Sequence, residues 1–87
     1  MNYLLFTAEW SKPSLEVKDT LLKFFPEINL LVVPLEGAAK EHTRYAIRRL
    51  PTLVKLKAEK EVGRTSAVDI TELFKFIGAD NVAKDVQ

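Results

Sequence analysis

The sequence predicts an α/β fold with the element order β-α-β-α-β-β-α. Two observations carry that reading. Short apolar runs at 2–7 and 28–33 flank a segment with helical apolar spacing, the pattern of two parallel strands joined by a crossover helix. Farther on, two short strand-like runs at 53–57 and 61–65 sit close enough for a hairpin and precede a second amphipathic segment.

Residues 2–7 are aromatic and branched aliphatic, and their continuous apolarity predicts a strand covered on both faces. Over 13–25 the apolar positions Val17, Leu21, Phe24 and Phe25 fall at i, i+4, i+7 and i+8, with Glu16, Lys18, Asp19 and Lys23 on the other side. Pro26 ends this helix, because the residue before a proline is pushed from helical angles and proline has no N–H to donate. Residues 28–33 form the second continuous apolar strand, closed by Pro34 and Gly37. A shorter helix is expected over 38–47, with Lys40, His42, Arg44 and Arg48 on a largely polar surface.

In the run 53–57, Leu53 and Val54 are apolar and the lysines are expected outside, while Glu59 and Lys60 turn the chain into 61–65. The last helix is expected to start near Ser66 as N-cap, with Asp69 in its first turn and Ile70, Leu73, Phe74 and Ile77 as its apolar stripe. Gly78 is the expected C-cap, and residues 79–87 add a turn or fray.

Composition bounds the rest. At 87 residues the chain is expected to form a single domain spanning 1–87, burying about 60–65% of the surface exposed when unfolded. Hydrophobic residues at 47%, charged residues at 29% and a net charge of +1 describe an ordinary globular protein with no field that favours nucleic acid. No run approaches the roughly 20 apolar residues of a membrane span, and the N-terminus lacks the pattern of a secretory leader, so a cytoplasmic protein without membrane contact is expected. Cysteine is absent, which excludes disulfides, thiolate metal sites and thiol redox chemistry by the chain as written.

The stretch Trp10-Ser11-Lys12-Pro13-Ser14 lies where the first strand turns into the first helix. Taken alone, Ser11 reads as a helix cap followed by proline in the first turn. Together with Arg48-Arg49-Leu50-Pro51-Thr52, and with Val62-Gly63 ahead of Ser66, it resembles the active-site region of the thioredoxin-like superfamily. The motif there reads Trp-Cys-x-Pro-Cys, and a second landmark is a cis-proline after an apolar residue. The resemblance covers nearly the whole chain, apart from an N-terminal strand and helix present in full-length thioredoxins, and is strongest to small thioredoxin- or glutaredoxin-like proteins of phage or archaeal type.

That resemblance implies a thioredoxin-like fold, a four-stranded mixed sheet flanked by helices, with a cis Leu50-Pro51 bond whose proline faces Ser11 and Ser14 across a shallow groove. It places the redox-active centre at Ser11, the position of the nucleophilic cysteine, and Ser14, that of the resolving cysteine. It places substrate contacts at Trp10, Lys12, Pro13, Leu50 and Pro51. In the family the helix N-terminus lowers the first thiol's pKa and so supplies a thiolate; a serine hydroxyl cannot form the mixed disulfide. For a cysteine-bearing parent the implied activity is thiol-disulfide exchange on disulfide-containing proteins, recycled by a thioredoxin reductase or a glutathione system. No cofactor and no metal are implied, and a monomer is expected.

Several positions depart from the family pattern. The buried acid six positions before the nucleophile is Leu5 here, and the lysine that accompanies it has no obvious counterpart. The glycines and acidic residues with which many glutaredoxins hold glutathione are reduced to Gly63-Arg64-Thr65-Ser66. Replacement of both cysteines by a near-isostere, with Trp10, Lys12, Pro13 and Pro51 retained, is the pattern of an engineered redox-dead oxidoreductase. The alternative is a natural non-redox module that holds an extended peptide between Trp10 and Pro51. Lys12, Arg48 and Arg49, which the resemblance places near the motif, are either a solvated rim or cations that favour a thiolate or attract an acidic partner. His42, the only histidine, is expected on a helix surface, since no nucleophile elbow is present to partner it. Phosphate loops, metal-ligand spacings and dinucleotide fingerprints are also absent.

Overall fold

A computed structural model describes residues 1–78. The elements are β1 (Asn2–Thr7), α1 (Lys12–Phe24), β2 (Asn29–Pro34), α2 (Ala39–Arg44), β3 (Thr52–Lys57), β4 (Lys60–Thr65) and α3 (Ile70–Ile77). The expected turn or frayed end over 79–87 lies outside the described residues. The strands form one mixed sheet in the order β2-β1-β3-β4. β1 runs parallel to β2 and antiparallel to β3, and β3 pairs antiparallel with β4.

Alternation along β1 builds two cores. Tyr3 and Leu5 face α1 and α3, where they pack with Val17, Leu21, Phe25, Leu53, Leu73 and Ile77. Phe6, with Leu4 at its margin, faces the other way toward Val33, Val54, Leu56, Ala38, Tyr45 and Ile47. The helix α1 buries Ser14, Val17 and Leu21, with Phe25 just past its end. Phe24, expected on that stripe, is 49% exposed. At about 100° per residue the buried stripe centres on Leu21 and leaves Phe24 on its flank, with the Lys23 ammonium over its ring.

Four further expectations need correction. First, the apolar run 28–33 forms an edge strand, on which Leu31 is 62% exposed. The six-residue α2 covers the Phe6 and Val33 end of that face and leaves Leu31 in solvent. Pro34 does not close the strand from outside but is its last residue, paired with Thr7, a position an edge strand tolerates.

Second, α2 stops at Arg44 because Ala46 takes a left-handed conformation, φ 52°. The Ile47 N–H then donates to His42 O at 2.9 Å and the Ala46 N–H to Thr43 O at 3.0 Å, the two bonds of a Schellman motif.

Third, Ser66 does not cap α3. Its hydroxyl lies 2.9 Å from Thr52 Oγ1, which itself donates to Arg49 O at 2.6 Å, so Ser66 ties the end of β4 to the start of β3. The cap position falls to Asp69, whose carbonyl accepts the Leu73 N–H at 3.0 Å. Gly78 does cap the C-terminus, at φ 89°.

Fourth, Lys55 is not an outer residue. Its ammonium donates to Phe76 O in the last turn of α3 and sits 4.6 Å from the Phe76 ring centroid, a cation placed at the negative end of the helix. The hairpin turns on Ala58 and Glu59, both left-handed at φ 52° and 65°, one residue earlier than expected.

The two leucines on opposite sides of this accounting make a direct test. Leu5→Ala should destabilise the protein by about 2–5 kcal/mol in urea unfolding, as a fully buried core truncation does. Leu31→Ala should change stability by less than about 0.5 kcal/mol.

Candidate functional site

The first strand ends at Thr7, and the chain crosses the top of the sheet through buried Ala8 and a turn at Glu9 and Trp10. The carboxylate of Glu36, in the connection from β2 to α2, accepts the Glu9 N–H with both oxygens at 3.1 Å and so braces that turn. Trp10 stands 71% exposed. Ser11 takes the extended conformation of an N-cap, and its carbonyl accepts the N–H groups of Ser14 and Leu15 at 3.1 and 3.2 Å. Pro13 occupies the first turn, where its missing N–H leaves nothing unsatisfied.

Both serines are buried, Ser11 at 5% exposure and Ser14 at 0%. Ser11 Oγ accepts the Ser14 N–H at a long 3.4 Å. The Ser14 hydroxyl is better used: it donates to Ser11 O at 2.8 Å and accepts the Ala8 N–H at 3.3 Å, linking the end of the strand to the first turn of the helix. The Ser11–Ser14 pair is therefore a hydrogen-bonded joint. Lys12 and Pro13 are exposed on the helix start.

The Leu50-Pro51 peptide bond is cis, and Pro51 is buried where it leads into β3. Leu50, half-buried, forms no backbone hydrogen bond among the described residues. A groove of about 590 Å³ opens beside it, lined by Trp10, Leu35, His42, Ile47, Arg48 and Leu50 among others. Of the residues singled out from sequence, Trp10, Leu50 and Arg48 thus meet at one surface feature, whereas Ser11, Lys12, Pro13, Ser14, Arg49 and Pro51 are not among its lining residues.

His42 is the main correction at the site, for it is buried rather than on the helix surface. Its Nε2 donates to Val33 O at 2.8 Å, which assigns the proton to that nitrogen, and its ring meets Phe6 edge-on at 4.9 Å. The signal for this was available: Ala38, His42 and Tyr45 recur at i, i+4 and i+7, and all three pack around Phe6 or its cluster. Leu35 and Ile47, also missed, are loop residues whose place follows from the Glu36 brace and the Schellman turn.

Leu5, at the position of the family's buried acid, has no solvent contact and packs wholly among apolar side chains. The segment 63–66 is likewise occupied by structural work. A Cβ on Gly63 would meet Phe76 Cε1 at 3.4 Å. Arg64 donates to both oxygens of Glu61, at 2.6 and 2.8 Å, and to Tyr45 O at 2.9 Å. The hydrogen bonds from Arg64 hold the Glu61 carboxyl below the ordinary carboxylate range, against the opposing effect of partial burial. The described residues hold no group of three or more acidic or histidine side chains placed for a metal ion, and none of their helices is long and apolar enough to cross a membrane.

No protein-family profile and no curated protein matches the chain. Solved structures do. A thioredoxin from Fasciola hepatica is 28% identical, over 86% of this chain and 75% of that one, with a TM-score of 0.75. A poplar thioredoxin h is 21% identical, over 90% and 73% of the two chains, with a TM-score of 0.79. Thioredoxin 1 from the thermophilic eubacterium Thermosipho africanus is 19% identical and matches over 100% of both chains, with a TM-score of 0.71. Fold and motif positions together define a thioredoxin-fold protein without cysteine. The chain is similar in fold to these thioredoxins, with Ser11 and Ser14 at the positions where the Trp-Cys-x-Pro-Cys motif carries its cysteines.

The unequal use of the two hydroxyls predicts unequal costs of removing them. Ser14→Ala leaves the buried Ala8 N–H without a partner and should cost about 1–3 kcal/mol in thermal or chemical unfolding. Ser11→Ala loses only a long capping bond and should cost about 0.5–1 kcal/mol.

Proposed function

We propose that the chain as written is a thioredoxin-fold docking protein that holds an extended peptide without covalent chemistry, in the groove beside Trp10 and Leu50. The observation that carries this reading is the division of the motif. Both sulfur positions are serines whose oxygens are buried and satisfied within the joint, while Trp10 and the backbone of Leu50 remain available beside an open groove. An exposed aromatic ring supplies contact area, and free backbone groups supply strand-type pairing. Lys12 and Pro13, exposed two and three residues past Trp10, belong to the same proposed contact surface, and buried Pro51 acts only through the Leu50 backbone that it follows. The partner is an extended protein segment; the engaged side chains of 63–66 argue against glutathione as the ligand.

A second reading concerns origin. The inward-facing pair sits at the start of α1, where the Ser14 N–H reaches the position-11 side chain and the helix dipole would favour a thiolate. A cysteine-bearing parent would therefore be a cytoplasmic protein-disulfide oxidoreductase, acting on disulfide-containing proteins with a thioredoxin reductase or glutathione system as electron donor, and the present chain its redox-dead form. Retention of Trp10, Lys12, Pro13 and Pro51 favours this reading, whereas the good hydrogen bonding of the Ser14 hydroxyl favours serine as a native residue.

Two measurements test these readings. In chemical-shift mapping with an extended substrate peptide, Trp10 and Leu50 should move most, with binding weak and indifferent to reductant; shifts confined to residues remote from both would refute docking. The double change Ser11→Cys, Ser14→Cys should confer reduction of insulin disulfides that the serine form lacks. Its position 11 should titrate below the roughly 8.5 of a free cysteine, and resolution should be slow because Leu5 replaces the acid. A double-cysteine protein no faster than the serine form removes the oxidoreductase parent.

A further inference from the structure

We propose that the groove selects peptides in which an acidic side chain adjoins an apolar anchor, with Arg48 receiving the carboxylate; this rests on the docking reading above and names its partner class. The lining is apolar at Trp10, Leu35, Ile47 and Leu50, and the only formally charged side chain in it is Arg48. Arg48 is exposed and has no ion pair among the described residues, whereas Arg44 pairs with Glu41, Arg64 with Glu61 and Lys75 with Glu72. An unpaired guanidinium beside an apolar groove presents a planar fork of donors that matches a carboxylate.

The surroundings reinforce that sign. Arg49, the next residue, and Lys12, at the helix start, are exposed cations that also lack ion pairs among the described residues. Of the acids near the turn, Glu36 accepts the Glu9 N–H and keeps its charge, but neither Glu9 nor Glu36 lines the groove. His42 in the lining is committed through Nε2 to Val33 O. A partner with a lysine at this place would meet uncompensated positive charge, and one with glutamate would neutralise it. A single guanidinium among apolar walls, in a chain of net charge +1, is too little charge for a polyanion.

The protein carries its own probe, since Trp10 is its only tryptophan and lines the groove. Three peptides, Ac-Gly-Leu-Val-Xaa-Gly-amide with Glu, Gln or Lys at Xaa, are titrated against Trp10 fluorescence with the intact chain and with Arg48→Glu and Arg48→Gln. The glutamate peptide should bind about two- to fivefold tighter than the glutamine one, the range an exposed ion pair supports, and the lysine peptide weakest. The differences should shrink in about 0.5 M salt and in R48Q, where Arg49 and Lys12 remain, and invert in R48E. If all three peptides perturb Trp10 equally, or R48E keeps the original ranking, the acidic preference is overturned while docking stands. If none perturbs Trp10 at any concentration, the docking reading falls and this inference with it.

Discussion

Everything in this fold depends on β1 being buried on both faces at once. Tyr3 and Leu5 seal one core, Phe6 the other, and because successive side chains of a strand point oppositely, one six-residue segment joins the two layers. The parallel neighbour β2 and the antiparallel neighbour β3 take their registers from it, with Leu5 opposite Val32 on one side and Leu53 on the other. A slip by one residue would exchange the two cores, which differ in shape: one closes on two helices, the other on the short α2 and its following turn.

The site is a consequence of where that strand ends. Once past Thr7 the chain leaves the sheet, and the polar groups of Ala8 are satisfied locally: its N–H donates to the Ser14 hydroxyl, and its carbonyl accepts the Ser11 N–H. The same joint turns Trp10 outward. On the neighbouring strand, the Schellman turn after α2 brings Ile47 and Leu50 alongside, and Arg64 holds this turn to β4 through Tyr45 O. An apolar groove between two braced turns results from packing demands on both sides.

The serine pair occupies the two positions of the motif with groups that serve the fold. A thiol at position 14 would be a weaker donor and acceptor than the hydroxyl that now bridges Ala8 and Ser11, so the serine form has a structural use for the group beyond filling its volume. What a serine cannot provide is the low-pKa nucleophile and the sulfur bond.

The sequence by itself determined the element order, the parallel pairing of the first two strands, the capped start of α1 at Ser11 and the absence of thiol chemistry, because these follow from apolar periodicity, proline positions and residue identity. It also marked Trp10, Leu50 and Arg48. Only the tertiary structure decided which apolar faces are covered and which polar groups find partners: His42 inside rather than out, Lys55 reaching the end of α3, Ser66 tied to Thr52 instead of capping a helix, Leu31 bare on an edge strand. The physical reason is common to all four. Local spacing says which direction a side chain points, but burial and hydrogen bonding depend on what another segment, distant in sequence, places there.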